Sequence, residues 1–225
     1  QAIVLAPTHE LAMQIFREAQ LLAQNSGVAV TTAVIIGDVN IARQIEKMKE
    51  RPHLVVGSSG RILELIQKRK INAQTIKTIV LDEADRLMDE NHRAAVTAII
   101  KATQKDRQLM LFSATIPAAA MEKASELTQT AVMVAIREES AVPEEISHWL
   151  FLVETRDKID FLRKLLASLK VERALVFINT SAAIEETVAK LCHHGVPATG
   201  IHGSSIKKDR QGAMEAFRDG RAQVL

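Results

Sequence analysis

The chain has 225 residues, 47% of them hydrophobic and 25% charged, with a formal net charge of +2 and a single cysteine, Cys192. That is enough apolar material for one large domain or two small ones. It excludes an internal disulfide and points to a reducing, cytoplasmic setting. Aromatics make up only 3% and tyrosine is absent, so base-stacking platforms are not expected, and a nucleic acid would be gripped by its backbone. Short β-branched runs then alternate with helix-length amphipathic segments. Strands are expected over residues 2–6, 28–36, 54–57, 78–82, 108–113 and 132–136, with helices over 10–25, 42–50, 61–68 and 92–103 between them. Such alternation implies a parallel sheet with helices on both faces. The polar, proline-containing stretch 137–146 interrupts the rhythm and reads as a linker. Beyond it strands are expected over 147–153, 174–178 and 198–202 and from 222, with helices over 158–169, 182–194 and 207–218. The expected organisation is therefore a domain over 1–136, a linker over 137–146 and a second domain over 147–225. No apolar run approaches the roughly 20 residues that would cross a bilayer, so no membrane partner is expected.

Two apolar runs carry chemistry at their ends. Ile79-Val80-Leu81 leads into Asp82-Glu83-Ala84-Asp85, and Leu109-Met110-Leu111-Phe112 leads into Ser113-Ala114-Thr115. In parallel sheets ligands bind beyond the carboxyl ends of the strands, where these polar groups would sit. One carboxylate there suits Mg²⁺ held through its water shell, and a second suits an attacking water. The structural alternative is an acidic pair capping the next helix. Cys192, beside His193 and His194, lacks the spacing of a zinc site and reads as helix packing.

Other segments align with this pair. Pro7-Thr8-His9-Glu10-Leu11-Ala12 precedes a helix, Gly37-Asp38 follows a strand, and Ser58-Ser59-Gly60-Arg61 follows another. In the second half stand Leu175-Val176-Phe177-Ile178-Asn179-Thr180, Ile201-His202-Gly203, Asp209-Arg210 and Phe217-Arg218-Asp219-Gly220. In order and spacing these segments resemble the DEAD-box family of ATP-dependent RNA helicases. The resemblance implies an α/β protein of two RecA-like parallel-sheet domains, both incomplete here. It implies ATP and Mg²⁺ as cofactors, RNA as partner, and roles compatible with ribosome assembly or RNA turnover. By the resemblance, Asp82 and Glu83 are catalytic, with Asp82 holding Mg²⁺ through water, and Asp85, Ser113 and Thr115 complete the nucleotide side. Pro7, Thr8, His9, Gly37, Ser58, Gly60, Arg61, Thr180 and Arg210 face RNA, and Phe177 packs on Arg210.

The sequence departs from the family at His9, where an arginine is usual, and at Asp38, where a second glycine is usual. Lys207 stands in place of a glutamine and Ser58-Ser59 in place of Thr-Pro. No Gly-x-x-x-x-Gly-Lys-[Ser/Thr] phosphate loop occurs in the 225 residues, and the family's arginine-finger segment is absent too. The chain is therefore expected to be an internal fragment, inactive as an ATPase. A non-catalytic RNA-binding or helicase-partner module is the competing reading, and a related helicase acting on DNA is a third.

Overall fold

The computed structural model describes residues 1–37, 39–114, 131–134 and 145–225. Asp38, Thr115 and linker positions 137–144 lie outside the described residues. The chain forms two compact units, Gln1–Ile136 and Arg137–Leu225.

In the first unit five short strands form one all-parallel sheet: β1 (Ala2–Leu5), β2 (Thr32–Ile35), β3 (Leu54–Gly57), β4 (Thr78–Leu81) and β5 (Gln108–Leu111). Their spatial order is β2-β3-β1-β4-β5. Side chains alternate between the faces of a strand, and each face has its own cover. On one face Ile3, Leu5, Ile35, Val55, Ile79 and Leu81 are fully buried. They pack against α2 (Ile41–Lys49), α3 (Ser59–Gln67) and α5 (Arg93–Ala102) through Met48, Ile62, Leu65, Val96 and Ile99. On the other face Val4, Val56 and Ile36 meet Leu11, Ala12, Ile15 and Phe16 of α1 (His9–Asn25). Strands covered on both sides suit the continuous apolar runs of the sequence.

One glycine is required for this sheet to close. A Cβ on Gly57 would stand 1.9 Å from the Ile35 carbonyl oxygen, so any larger residue would push β3 away from β2.

Several expectations differ from what the chain does. The strand expected over 28–36 shortens to Thr32–Ile35, because the Val30 N–H bonds to the Val28 carbonyl at 2.8 Å and turns the chain away from the ladder. Residues 132–134, expected as part of a strand, have no regular structure and are exposed. The run 147–153 is also not a strand. Trp149 stacks edge-on against Phe151, which packs in turn on Phe161.

The second unit has α6 (Lys158–Leu169), α7 (Ser181–His193) and α8 (Lys207–Arg218). Around them the expected strands over 174–178 and 198–202 reduce to two parallel bridges, both made to Val224 by Ala174 and Ala198. A small core of Leu166, Leu191 and Val224 joins these pieces. Beside it lies an apolar cavity of about 190 Å³ whose lining includes Ile184, Val188 and Leu191. Among the described residues no helix is long and apolar enough to cross a membrane.

Candidate functional site

The parallel register brings all the strand ends of the first unit to one edge. Leu5 is paired with both Gly57 and Leu81, and Leu81 with Leu111. The ladder runs one step further: Asp82 N–H donates to Leu5 O at 3.0 Å, Phe112 N–H to Leu81 O at 2.8 Å, and Ser58 N–H to Ile35 O at 3.0 Å. The turns carrying Pro7–His9, Gly37, Ser58–Arg61, Asp82–Asp85 and Ser113 therefore open on the same edge of the sheet.

The two carboxylates part immediately after β4. Asp82 is half-buried, and its Oδ1 accepts the Glu83 N–H at 3.0 Å. Glu83 takes a left-handed backbone, φ 49° and ψ 55°, which a non-glycine residue rarely adopts. That turn redirects its side chain from the line of the strand. Glu83 N-caps the four-residue α4 (Ala84–Leu87) without a side-chain cap bond; instead its Oε2 lies 2.9 Å from Nη1 of Arg86. The capping alternative is thus not realised: neither carboxylate bonds an N–H of the first turn of α4. Ala84 N–H donates to Phe112 O at 2.8 Å, tying the acidic turn to the residue before Ser113. Asp85 and Ser113 are both half-buried. Thr115 lies outside the described residues.

Among the described residues no group of three or more His, Cys, Asp or Glu side chains could hold a metal ion. Mg²⁺ does not require one: it keeps several waters and takes one or two carboxylates plus substrate phosphates. Asp82 fits that donor set, while the Glu83 carboxylate is paired with Arg86.

The remaining turns form a second cluster, over β2, β3 and β1. Thr8 caps α1, its Oγ1 accepting the Leu11 N–H at 3.1 Å, and its hydroxyl proton still has a bond to give. His9 borders Gly37 closely: a Cβ on Gly37 would lie 3.0 Å from His9 Nε2. Ser58 begins α3 without a side-chain cap bond, and Gly60 is exposed. Arg61 differs from its expected role as an open charged fork. Its side chain is only 17% exposed, with Nε 3.0 Å from Glu64 Oε2 and Nη1 donating to the Val39 carbonyl at 3.0 Å. The hydrogen bond from Lys68, aided by the charges of Lys68 and Arg61, holds the Glu64 carboxyl below its usual range.

In the second unit Thr180 caps α7, its Oγ1 accepting the Ala183 N–H at 3.3 Å. Arg210 reaches the carbonyls of His202 and Gly203, each at 3.4 Å. Phe177 corrects the sequence reading. It is 93% exposed, so it neither sits in a core nor packs on Arg210, whose guanidinium is turned to the His202-Gly203 turn.

Two residues went unnoticed in the sequence. Arg86 carried no signal beyond its charge. Gln44 did carry one: it interrupts the apolar stripe Ile41, Ile45, Met48 of α2, and it is 5% exposed.

The DEAD/DEAH box helicase family model matches residues 1–124, and the helicase conserved C-terminal domain model matches residues 157–225. The DEAD-box ATP-dependent RNA helicase CshC of Bacillus cereus is 38% identical over 226 residues, covering all of this chain and 57% of CshC. The probable ATP-dependent RNA helicase YfmL of Bacillus subtilis is 36% identical, again over the whole chain and 59% of YfmL. Among solved structures, S. cerevisiae Dbp5 bound to RNA and ADP BeF3 matches with a TM-score of 0.77 at 26% identity, over all of this chain and 56% of that one. A DEAD box protein from Methanococcus jannaschii matches with a TM-score of 0.57 at 29% identity, over all of this chain and 60% of that one. The chain spans less than two thirds of the length of these relatives, and the α/β, RecA-like class expected from the sequence stands. With a family match over 124 of its 225 residues, this chain belongs to the DEAD/DEAH box helicases.

Proposed function

We propose that the protein carrying this chain is an ATP-dependent RNA helicase that couples Mg-ATP hydrolysis to local opening of RNA duplexes. The observation that carries this reading is the acidic turn Asp82–Asp85, bonded through Ala84 N–H to Phe112 O at the adjacent strand end. Mg-ATP supplies the phosphoryl group and neutralises charge on its oxygens. Asp82 would hold Mg²⁺, and Glu83 would orient the attacking water and accept its proton. Asp85 and Ser113 link this turn to the neighbouring strand end, and by the family resemblance Thr115 belongs to the same nucleotide side. Pro7, Thr8, His9, Gly37, Ser58 and Gly60 form the RNA-facing side in the first unit, beside Arg61, whose guanidinium is held by Val39 and Glu64, with Thr180 and Arg210 in the second. These residues grip phosphates and sugars and so carry little sequence preference. A reducing, cytoplasmic setting and a role in ribosome assembly or RNA turnover belong to the same reading.

The 225 residues contain no phosphate loop, so the chain by itself is expected not to turn over ATP. Substantial Mg-dependent turnover by the purified chain would contradict that. In the full-length protein, Glu83→Gln is expected to lower RNA-stimulated ATP hydrolysis by roughly 100- to 10,000-fold, read in a phosphate-release assay. Unchanged turnover would remove Glu83 from the mechanism. A second reading is a non-catalytic RNA-binding or helicase-partner module. Salt-dependent RNA affinity that ATP leaves untouched would mark it.

A further inference from the structure

The connections that lead into β4 and β5 lie on the edge of the sheet opposite the acidic turn, because the strands all run one way. Residues 68–77 carry Lys68, Arg69, Lys70 and Lys77 and no acidic side chain. Residues 101–107 carry Lys101, Lys105 and Arg107 against Asp106 alone. The formal surplus of all 225 residues is only +2, so these two connections hold more positive surplus than the entire chain. β4 thus runs from a basic edge to an acidic one.

The two connections are tied to each other. Gln74 Nε2 donates to the Ala102 carbonyl at 2.9 Å and Gln108 N–H to the Lys77 carbonyl at 2.8 Å. Lys77 Nζ reaches Gln104 Oε1 at 3.1 Å and Asp106 Oδ2 at 2.8 Å. Ile71 and Ile76 are buried in the same core as Ile99 and Ile100. The backbone that carries the cations is therefore fixed before a partner arrives, which keeps the ordering cost of binding small. Lys68 pairs with Glu64 at 2.6 Å and Lys77 with Asp106. Arg69, Lys70, Lys101 and Lys105 are exposed and have no ion pair among the described residues. Like charges gathered in this way repel one another, and an approaching polyanion relieves that repulsion.

The rest of the surface narrows the partner. Ile71, Ala73 and Ile76 are buried, and none of the large exposed apolar side chains belongs to these connections. A protein partner would want an apolar centre, and a membrane would want side chains to insert. Neither connection contains an aromatic residue, so unpaired bases have nothing to stack on. What stands among the cations is amide and hydroxyl: Asn72, Gln74, Thr75 and Gln104, all exposed. Such groups meet the phosphates and 2′-hydroxyls of a paired RNA backbone.

We propose that this edge is a second RNA-binding surface, an anchor for the sugar–phosphate backbone of duplex RNA. The proposal rests on the RNA-helicase reading above and deepens it, by giving paired RNA a seat apart from the strand-end edge. Strands of four residues span roughly 13 Å, so an RNA with a duplex and a single-stranded tail is long enough to touch both edges.

The test uses the full-length protein, with two labelled probes titrated by anisotropy over a range of salt: a blunt RNA hairpin and a single-stranded oligouridine. In one variant Arg69→Gln, Lys70→Gln, Lys101→Gln and Lys105→Gln are combined; none of the four side chains has an ion pair to lose. Hairpin affinity is expected to fall at least about tenfold, and the slope of log affinity against log salt to shrink by about 2–4, roughly 0.9 for each phosphate contact removed. Oligouridine affinity, and ATP hydrolysis stimulated by oligouridine, are expected to stay as in the wild type. Unchanged hairpin binding would overturn the anchor. An equal loss on oligouridine would mean a grip on any strand and would overturn it too. Lost binding to phosphatidylserine vesicles with hairpin binding intact would assign the edge to a membrane instead.

A second variant works in the opposite direction. Asp106→Asn removes the carboxylate of the second connection and releases Lys77, and is expected to tighten hairpin binding about threefold; no gain would count against the anchor. The anchor and the reading beneath it fail separately. If oligouridine binds and the combined variant leaves hairpin binding untouched, the anchor falls and the helicase reading stands. If the hairpin behaves as expected but the wild type never binds oligouridine, the anchor stands and the strand-end RNA site falls.

Discussion

Ile79 and Val224 each lie in the middle of a parallel pairing, yet their surroundings differ. Ile79 is paired with Ile3 on one side and Leu109 on the other, in ladders four residues long. It is fully buried beneath the α2, α3 and α5 face. Val224 likewise touches two segments, but through single bridges to Ala174 and Ala198, next to a cavity instead of a filled layer. Leu175, Leu152 and Phe177, from segments of similar strand propensity, are exposed at 59%, 94% and 93%. A strand is an outcome of neighbours more than of its own composition. The first unit surrounds its strands; the second joins its extended segments at a few points.

Large-to-small substitutions should widen this contrast. Ile79→Ala is expected to destabilise the first unit by about 3–5 kcal/mol, the upper part of the range for tight sites. Leu191→Ala, 1% exposed and lining the cavity of the second unit, should cost about 2–3 kcal/mol, because the adjacent void lets neighbours relax. Residue-resolved hydrogen exchange, read separately for each unit, measures both. Equal losses at the two sites would end the comparison as drawn.

Phe177→Ala tests the exposed side of the second unit. At 93% exposure it should change stability by no more than about 0.5 kcal/mol. A loss of several kcal/mol would mean that Phe177 is covered in solution.

Acid should produce the smallest effect. Hydrogen bonds from Lys164 and then Arg163 bring the Asp160 carboxyl down from 3.8 to about 2. A lowered folded-state value means the contribution is present above the unfolded value and fades as pH falls from 3.8 toward 2. In the first unit, Asp106 is lowered by its bond from Lys77 and Glu64 by its bond from Lys68, with the same sign. All three groups are exposed, so added salt should blunt the acid sensitivity of both units in thermal melts. A salt-independent acid transition would point to buried groups instead.

The legibility of the chain followed the same contrast. β3 coincides with the expected 54–57 because the run Leu54-Val55-Val56 is closed by Pro52 before it and a sterically required Gly57 after it. The run 28–31 has strand propensity too, but a local bond from Val30 to Val28 diverts it, and no composition signals that. The acidic turn was legible because two apolar runs ended in polar groups, which a parallel sheet brings to one edge. The left-handed backbone of Glu83 was not, since no glycine or asparagine marks it. The partners of Arg61 were only half legible: Glu64 stands three residues along the same helix, whereas Val39, which also takes its guanidinium, is adjacent only in the fold.

The backbone of Glu83 has a consequence for how this protein would drift. A left-handed residue with a Cβ costs about 1–2 kcal/mol, and glycine would relieve that strain. Selection for heat resistance alone would therefore favour replacing the one carboxylate proposed to orient water. A lineage or laboratory screen that ceased to reward turnover would gain stability at this position, as it would at the other left-handed residues Arg51, Arg69 and Lys170. The strained carboxylate is thus a marker: its retention in a stabilised variant reports that hydrolysis is still under selection.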